Sequence, residues 1–379
     1  MKRAKSVIFI QCTDPALYPS LINASTLLAD RGWQVTTLAA PVTGFDIVQP
    51  SDPRICVKQI RARKSHRLRI DDYGRYLLSS ATLALRDRPN VIYASDTTSA
   101  GPALLARWLS GAKLFYHEHD SPNPAGPVTY LKCMRQTILR KANYLVFPNA
   151  SRAKIVREEY GLDNARIKIA WNVPRLAELP MIVPIADHPL ILYFHGSITP
   201  ERLPFALIDA IRPFAGRIEL RIAGYEAPGA PGYLANLLAR ARSASGSTYA
   251  RYLGQIPHRA ELLQGATRAH IGLALMPSKT NDINMQYMTG ASNKPFDYMA
   301  AGLPLLVSEL PDWQKMFVTP GYGRSCKPED VDSIVAALCW FIDHPVERQA
   351  MGARARTKIE NEWNYDTAFA QIISLLSDD

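Results

Sequence analysis

Short apolar, β-branched runs recur along this chain with helix-patterned stretches between them, and that rhythm limits the fold more than any other feature. In the first half the runs are SVIFIQ (6–11), WQVTTLA (33–39), NVIYAS (90–95), KLFYHE (113–118) and YLVFP (144–148). The second half repeats it with LILYFHG (190–196), RIELRIAG (217–224), YARYLGQI (249–256), IGLALMP (271–277) and LPLLVSE (303–309). The runs are continuous rather than alternating, so their strands must be covered on both faces, as in parallel sheets wound with helices on each side. Between the first two runs, YPSLINASTLLADRG carries leucine and alanine at helical spacing and stops at Arg31-Gly32.

A length of 379 residues exceeds what one hydrophobic core usually organises and favours two domains. The rhythm breaks once, at the proline-rich NVPRLAELPMIVPIADHP (172–189), which reads as a linker. Two doubly wound domains joined there would face a cleft between the carboxyl edges of their sheets, where such sheets bind ligands.

Charge is unevenly distributed. Residues 1–180 hold 26 Lys+Arg against 14 Asp+Glu, a surplus of 12, while residues 181–379 hold 18 against 20. KQIRARKSHRLR (58–69) and YLKCMRQTILRK (130–141) are the densest basic stretches. They suit an anionic partner, and a peripheral contact with an anionic membrane is the reading taken forward. Nucleic acid is suggested by charge alone, with no recognisable reader motif. The five cysteines are scattered, odd in number and free of C-x-x-C spacing, which points to a reducing compartment and away from a zinc site. SVIFI is too short for a signal-peptide core and reads as a first strand. No stretch reaches the roughly 20 apolar residues that span a bilayer, so the expected location is cytoplasmic, at or near the inner face of the membrane.

Two places offer chemistry. Strand LILYFHG ends at Gly196, where a glycine lets a ligand approach the backbone, and Arg202 lies near the start of the following helix. In NKPFDYMAAGLPLLVSE (293–309), Asn293 is placed to cap a helix, Pro295 suits its first turn, Lys294 adds a cation beside the free amides, and Asp297 follows one turn later. A lysine for phosphate and a carboxylate for two ribose hydroxyls could divide a nucleotide between them.

GSITPERLP resembles the G-R-x-x-P-x-K-G phosphate loop of GT-B glycosyltransferases, and NKPFDYMAAGLPLLVS resembles their donor motif in the K-L-F-E-Y-M-A-A-G-K-P-V form found among polysaccharide-assembly members. Between them RIAG, YLGQI and ELLQGATRAHIGLALMP are similar to further segments of that family in the same order, and FYHEHD, NYLVFPNASRAKIVREEYG and KIAWN are similar to its first-half segments. The resemblance implies a GT-B architecture of two Rossmann-like domains. Residues 1–178 would bind the acceptor, 179–362 the nucleotide sugar, and 363–379 would form a helix crossing back to the first domain.

Carried over residue by residue, the resemblance places Asp297 on the donor ribose, Arg202 on the diphosphate, Ile256 by its backbone on the base, and His119 beside the reacting sugar. Ser197 stands where the family has arginine, so Lys294 would replace that contact. Thr289 stands where the family has a glutamate, and the backbone amides of Gly290, Ala291 and Ser292 would hold the sugar instead. The implied activity is transfer of a sugar from a nucleotide-diphosphate donor to a hydroxyl acceptor, a glycan or lipid-linked precursor. Anomeric configuration would be retained without a metal or other cofactor, since Arg202, Lys294 and backbone amides would neutralise the leaving group. A sugar-nucleotide epimerase of the same fold and a non-catalytic nucleotide-sugar-binding subunit are the competing readings.

Overall fold

The computed structural model describes residues 4–12, 18–39, 52–60, 70–122, 129–227, 229–242, 246 and 248–377. Two units separate, each built on its own parallel sheet. The first comprises Met1–Asn172, Asp282–Ala291 and Tyr365–Asp379. Its seven strands are β1 (Ser6–Gln11), β2 (Gln34–Ala39), β3 (Ile55–Gln59), β4 (Val91–Ser95), β5 (Lys113–His117), β6 (Tyr144–Phe147) and β7 (Ile167–Ile169). They lie in the order β3-β2-β1-β4-β5-β6-β7, and every pairing is parallel. β1, β4 and most of β5 are buried along their whole length, which is why their sequences show no polar alternation. Ile8, Ile10, Ile92, Leu114 and Tyr116 anchor the core on one face.

The second unit comprises Val173–Asn281 and Ser292–Asn364. Its strands are β8 (Leu190–Ile198), β9 (Ile218–Glu226), β10 (Ala250–Gly254), β11 (Ile271–Ala274), β12 (Leu305–Ser308) and β13 (Gly323–Cys326), in the order β10-β9-β8-β11-β12-β13. All of these pairings are parallel too. The strand order reverses between β8 and β11, so the chain leaves these neighbours in opposite directions and opens a crevice at their carboxyl ends.

Three expectations need correction. The division falls at 172/173 rather than after 178, and the second unit runs to Asn364 rather than 362. Asp282–Ala291 belongs to the first unit although it lies deep in the second half of the sequence. Within that unit Ser121 N–H donates to Asn284 Oδ1 at 2.8 Å while Asn284 Nδ2 donates back to the Ser121 carbonyl at 2.8 Å. Buried Arg152 donates to the carbonyls of Asn284 and Tyr287 at 2.7 and 3.0 Å. The closing segment is two short helices, Tyr365–Ala368 and Ala370–Ser377, and Phe369 packs beside Tyr93 of β4 with ring centroids 6.2 Å apart. Edge strands β3, β7 and β13 lack the apolar run by which the others are read, because one side of each needs no cover. Of the basic stretch 58–69, residues 61–69 lie outside the described residues.

Candidate active site

The sequence motif at 293–300 folds as a seven-residue helix, Lys294–Ala300, that is buried throughout. Lys294 lies with its Nζ 5.7 Å from the centroid of the Phe194 ring of β8. A methyl group on Gly196 would stand 3.0 Å from Lys294 Cε and 3.3 Å from its Nζ, so the bare glycine is what admits the ammonium group to the carboxyl end of β8. Gly196 itself adopts φ +110°, and a methyl on its neighbour Gly224 of β9 would stand 2.0 Å from the Gly196 carbonyl oxygen. Two glycines at paired positions thus let two strand ends and one lysine converge. Burial, and then the charge of Arg202, push the Lys294 ammonium well below its ordinary pKa, with Asp297 acting in the opposite direction. A cation enclosed in this way is short of negative partners, and a bound anion would restore it. Arg202 reaches back along the loop to contact the Ser197 hydroxyl.

One turn along the same helix, Asp297 has no exposed side-chain surface. Arg259 grips its carboxylate with both terminal nitrogens, Nη2 to Oδ1 at 2.7 Å and Nη1 to Oδ2 at 3.2 Å. Asn293 Nδ2 donates to Oδ2 at 2.9 Å, and His195 Nε2 lies 3.4 Å from the same oxygen. Arg259 also donates from Nε to Glu178 at 2.6 Å. Burial opposes the Arg259 charge, but Asp297 and Glu178 outweigh it and hold its pKa above the ordinary value. His195 is held neutral, first by burial and then by Lys294 and Arg259.

In the first unit, His119 follows β5 on a loop pinned from several sides. Its N–H donates to Asp96 at 2.9 Å, its carbonyl accepts from Arg152 at 2.8 Å, and its Nδ1 lies 3.3 Å from Ser20 Oγ. Asp96 adopts φ +61°, a left-handed conformation unusual for a residue with a side chain. The His119 ring lies tilted against His117 with centroids 3.7 Å apart, and His117 Nδ1 lies 2.9 Å from the Tyr93 hydroxyl. Just before, Glu118 is fully enclosed and meets Arg135 through two 2.8 Å bonds. Burial, then Arg152, lowers the His119 pKa to about 3, so the imidazole is neutral at pH 7.

Two family models match the chain, a glycosyl transferase 4-like domain over residues 23–172 and a glycosyl transferase-like domain over residues 207–374. The chain belongs to the GT-B glycosyltransferases. The glycogen synthase of Mycobacterium tuberculosis (strain CDC 1551 / Oshkosh) is 26% identical over 322 residues, spanning 75% of this chain and 68% of the relative. Among solved structures, sucrose-phosphate synthase from Thermosynechococcus elongatus superposes with a TM-score of 0.74 at 14% identity, covering 98% of both chains. The Anabaena protein HepE in complex with UDP and glucose superposes with a TM-score of 0.71 at 14% identity, covering 98% of this chain and 99% of its own.

For this glycosyltransferase, the second unit gathers Gly196, Ser197, Arg202, Asn293, Lys294 and Asp297 at the carboxyl end of β8. Ile256, half-buried, follows β10 in the same unit. Asn293 holds the N-cap position as expected, but its backbone is helical and its side chain goes to Asp297 rather than to a helix amide. The three residues whose amides are expected to hold a sugar straddle the division between the units. Gly290 and Ala291 belong to the first unit, where their carbonyls accept from Asn172 N–H and Nδ2, each at 2.7 Å. The Ala291 amide already donates to the Met288 carbonyl at 3.0 Å. Ser292 begins the next stretch of the second unit, buried. Arg259, Glu178 and His195 were missed by the sequence reading. Arg259 opens an ordinary-looking helix 38 residues before Asp297, and Glu178 lies in the proline-rich stretch read as a linker, so no local pattern marks either.

Two predictions arise here. Gly196→Ala is expected to cost about 1–3 kcal/mol through backbone strain and to push Lys294 out of place, lowering both the thermal midpoint and nucleotide affinity. Unchanged values in differential scanning fluorimetry and calorimetry would contradict the geometry. The second concerns acid. His117, His119 and His195 are buried and neutral, and burial also lowers His270 to about 4. The unfolded chain takes up these protons below about pH 6.5 while the folded chain does not, so each site costs about 1.4 kcal/mol per pH unit on acidification. Asp96, raised to about 8 by burial and then by Asp120, acts in the opposite sense but is one group against four. The thermal midpoint is therefore expected to fall steadily from pH 6.5 to 4.5; a flat profile would show these histidines to be solvated.

Proposed function

We propose that this glycosyltransferase binds a nucleotide-diphosphate sugar at the carboxyl end of β8 and transfers the sugar, with retention of configuration, to a hydroxyl of a glycan or lipid-linked acceptor. The observation that carries the reading is Lys294, an enclosed cation beside Arg202 at the point where strand order reverses. A diphosphate would bring negative charge to the enclosed Lys294, and the same two groups would stabilise it as it leaves. HepE, a structural neighbour, was crystallised with UDP-glucose, in keeping with a donor of this class. Transfer without a metal is part of the proposal, because two side-chain cations already face the site. Neutral His119 would stand by the reacting centre as a hydrogen-bonding group rather than a charge.

The acceptor is assigned to the basic first unit, by its net charge. Its helix Thr129–Lys141 exposes Tyr130, Lys132, Arg140 and Lys141, a mixture suited to an anionic membrane surface. No described helix is long and apolar enough to cross a membrane. A thermal-shift panel of nucleoside diphosphates and their sugars tests the donor, since a ligand well above its Kd raises the midpoint measurably. NMR of the product anomer and activity in excess chelator test retention and metal independence. Turnover of donor without acceptor would favour the epimerase, and binding with neither transfer nor hydrolysis the non-catalytic subunit.

A further inference from the structure

The family resemblance would have Asp297 accept the ribose hydroxyls directly. Its surroundings argue otherwise. The carboxylate has no exposed surface, and a carboxylate offers about four acceptor positions. Two are taken by Arg259, one on each oxygen, and a third by Asn293 on Oδ2, the oxygen that His195 Nε2 also approaches at 3.4 Å. Its neighbours are less enclosed: the Arg259 side chain is 15% exposed and that of Glu178 20%. A guanidinium carries five N–H groups in a rigid plane. Three are committed, one to Glu178 and two to Asp297, leaving one further N–H on each terminal nitrogen. Two carboxylates therefore hold this arginine in a single orientation beside Asp297.

We infer that Arg259 is the residue that meets the nucleoside, donating to a ribose hydroxyl oxygen, and that Asp297 is a positioning residue acting through it. This rests on the reading of the site as a nucleotide site. It reverses the roles that the motif alone suggests: the carboxylate aims the cation, and the cation reads the sugar. Arginine serves here where lysine would not, because only a planar fork can bond both carboxylates and still present donors outward.

The test compares ribose with deoxyribose. Binding of UDP, GDP and ADP is measured by calorimetry on the wild type, and the nucleotide bound most tightly is carried forward with its 2′-deoxy and 3′-deoxy forms. The wild type is expected to prefer the ribonucleotide over one deoxy form by about tenfold or more, as befits a hydrogen bond from a charged donor. Arg259→Gln is expected to bring that preference below about threefold. Because Gln leaves a buried carboxylate unpaired and can unfold the unit, Arg259→Lys is measured alongside; it keeps a positive charge beside both carboxylates, is expected to stay folded at the assay temperature with a lowered midpoint, and should lose the preference as well. A preference kept or increased in the folded variants overturns the inference, since freeing Asp297 would strengthen a direct ribose contact. A wild type that binds a nucleotide without distinguishing the deoxy forms overturns this inference and leaves the donor site standing. A wild type that binds none of the three sinks both, and the failure then appears in the unmutated protein.

Discussion

Lys294→Ala is expected to lower turnover by roughly a hundredfold or more, the loss seen when one preorganised donor to a developing anion is removed, while the second unit stays folded. The side chain is enclosed between Phe194 and Gly196, and its charge is opposed by burial and by Arg202. The unliganded protein thus holds an amine whose charged form is penalised. Removing it deletes a penalised group rather than one half of a satisfied pair, so the thermal midpoint should move by only a few degrees. Arg202→Ala should lower turnover to a similar extent. The same electrostatics give a second reading: a diphosphate that binds here restores the lysine's charge, so binding should take up protons from the buffer, measurable by calorimetry in buffers of different ionisation enthalpy. Alanine at position 294 should abolish that uptake. Near-normal turnover in both variants would remove the site from β8.

The other large effect is on folding of the first unit. Arg135→Ala is expected to cost about 3–5 kcal/mol, because it leaves Glu118 as an uncompensated buried charge. Glu118 has no exposed side-chain surface, and its two oxygens also accept from the Tyr116 hydroxyl at 3.0 Å and the Ser121 hydroxyl at 3.1 Å. Those neutral donors cannot replace a guanidinium bonded at 2.8 Å on both sides. The pair anchors the loop that carries His117 and His119, so the variant should also lose activity at temperatures where it remains folded. Glu118→Gln combined with Arg135→Met should recover much of the stability, since two neutral groups need no partner of opposite sign. A single variant as stable as the wild type in thermal unfolding would mean that this pair is solvated rather than buried.

The sheet strands in both units were legible because parallel strands buried on both faces must be apolar at every position, and SVIFIQ, NVIYAS and LILYFHG have no other reading. The lysine and aspartate of the 293–300 helix were legible for a similar reason, being close in sequence and held by a local element. Less could be read where exposure or distance intervenes. β13, GRSC, is polar because it is an edge. Asp282–Ala291 has no compositional boundary at either end, yet it joins the first unit through Asn284, Arg152 and Asn172.

Read alone, the chain of residues determined the class of fold, the division into two parallel-sheet units and the cation at the β8 terminus, since each follows from local periodicity or a short motif. Tertiary structure decided what Asp297 can touch. Its partner Arg259, and Glu178 which holds Arg259 in turn, come from distant turns of the chain, and whether a carboxylate faces a ligand or an arginine depends on which groups packing brings close to it, a matter on which spacing along the sequence is silent.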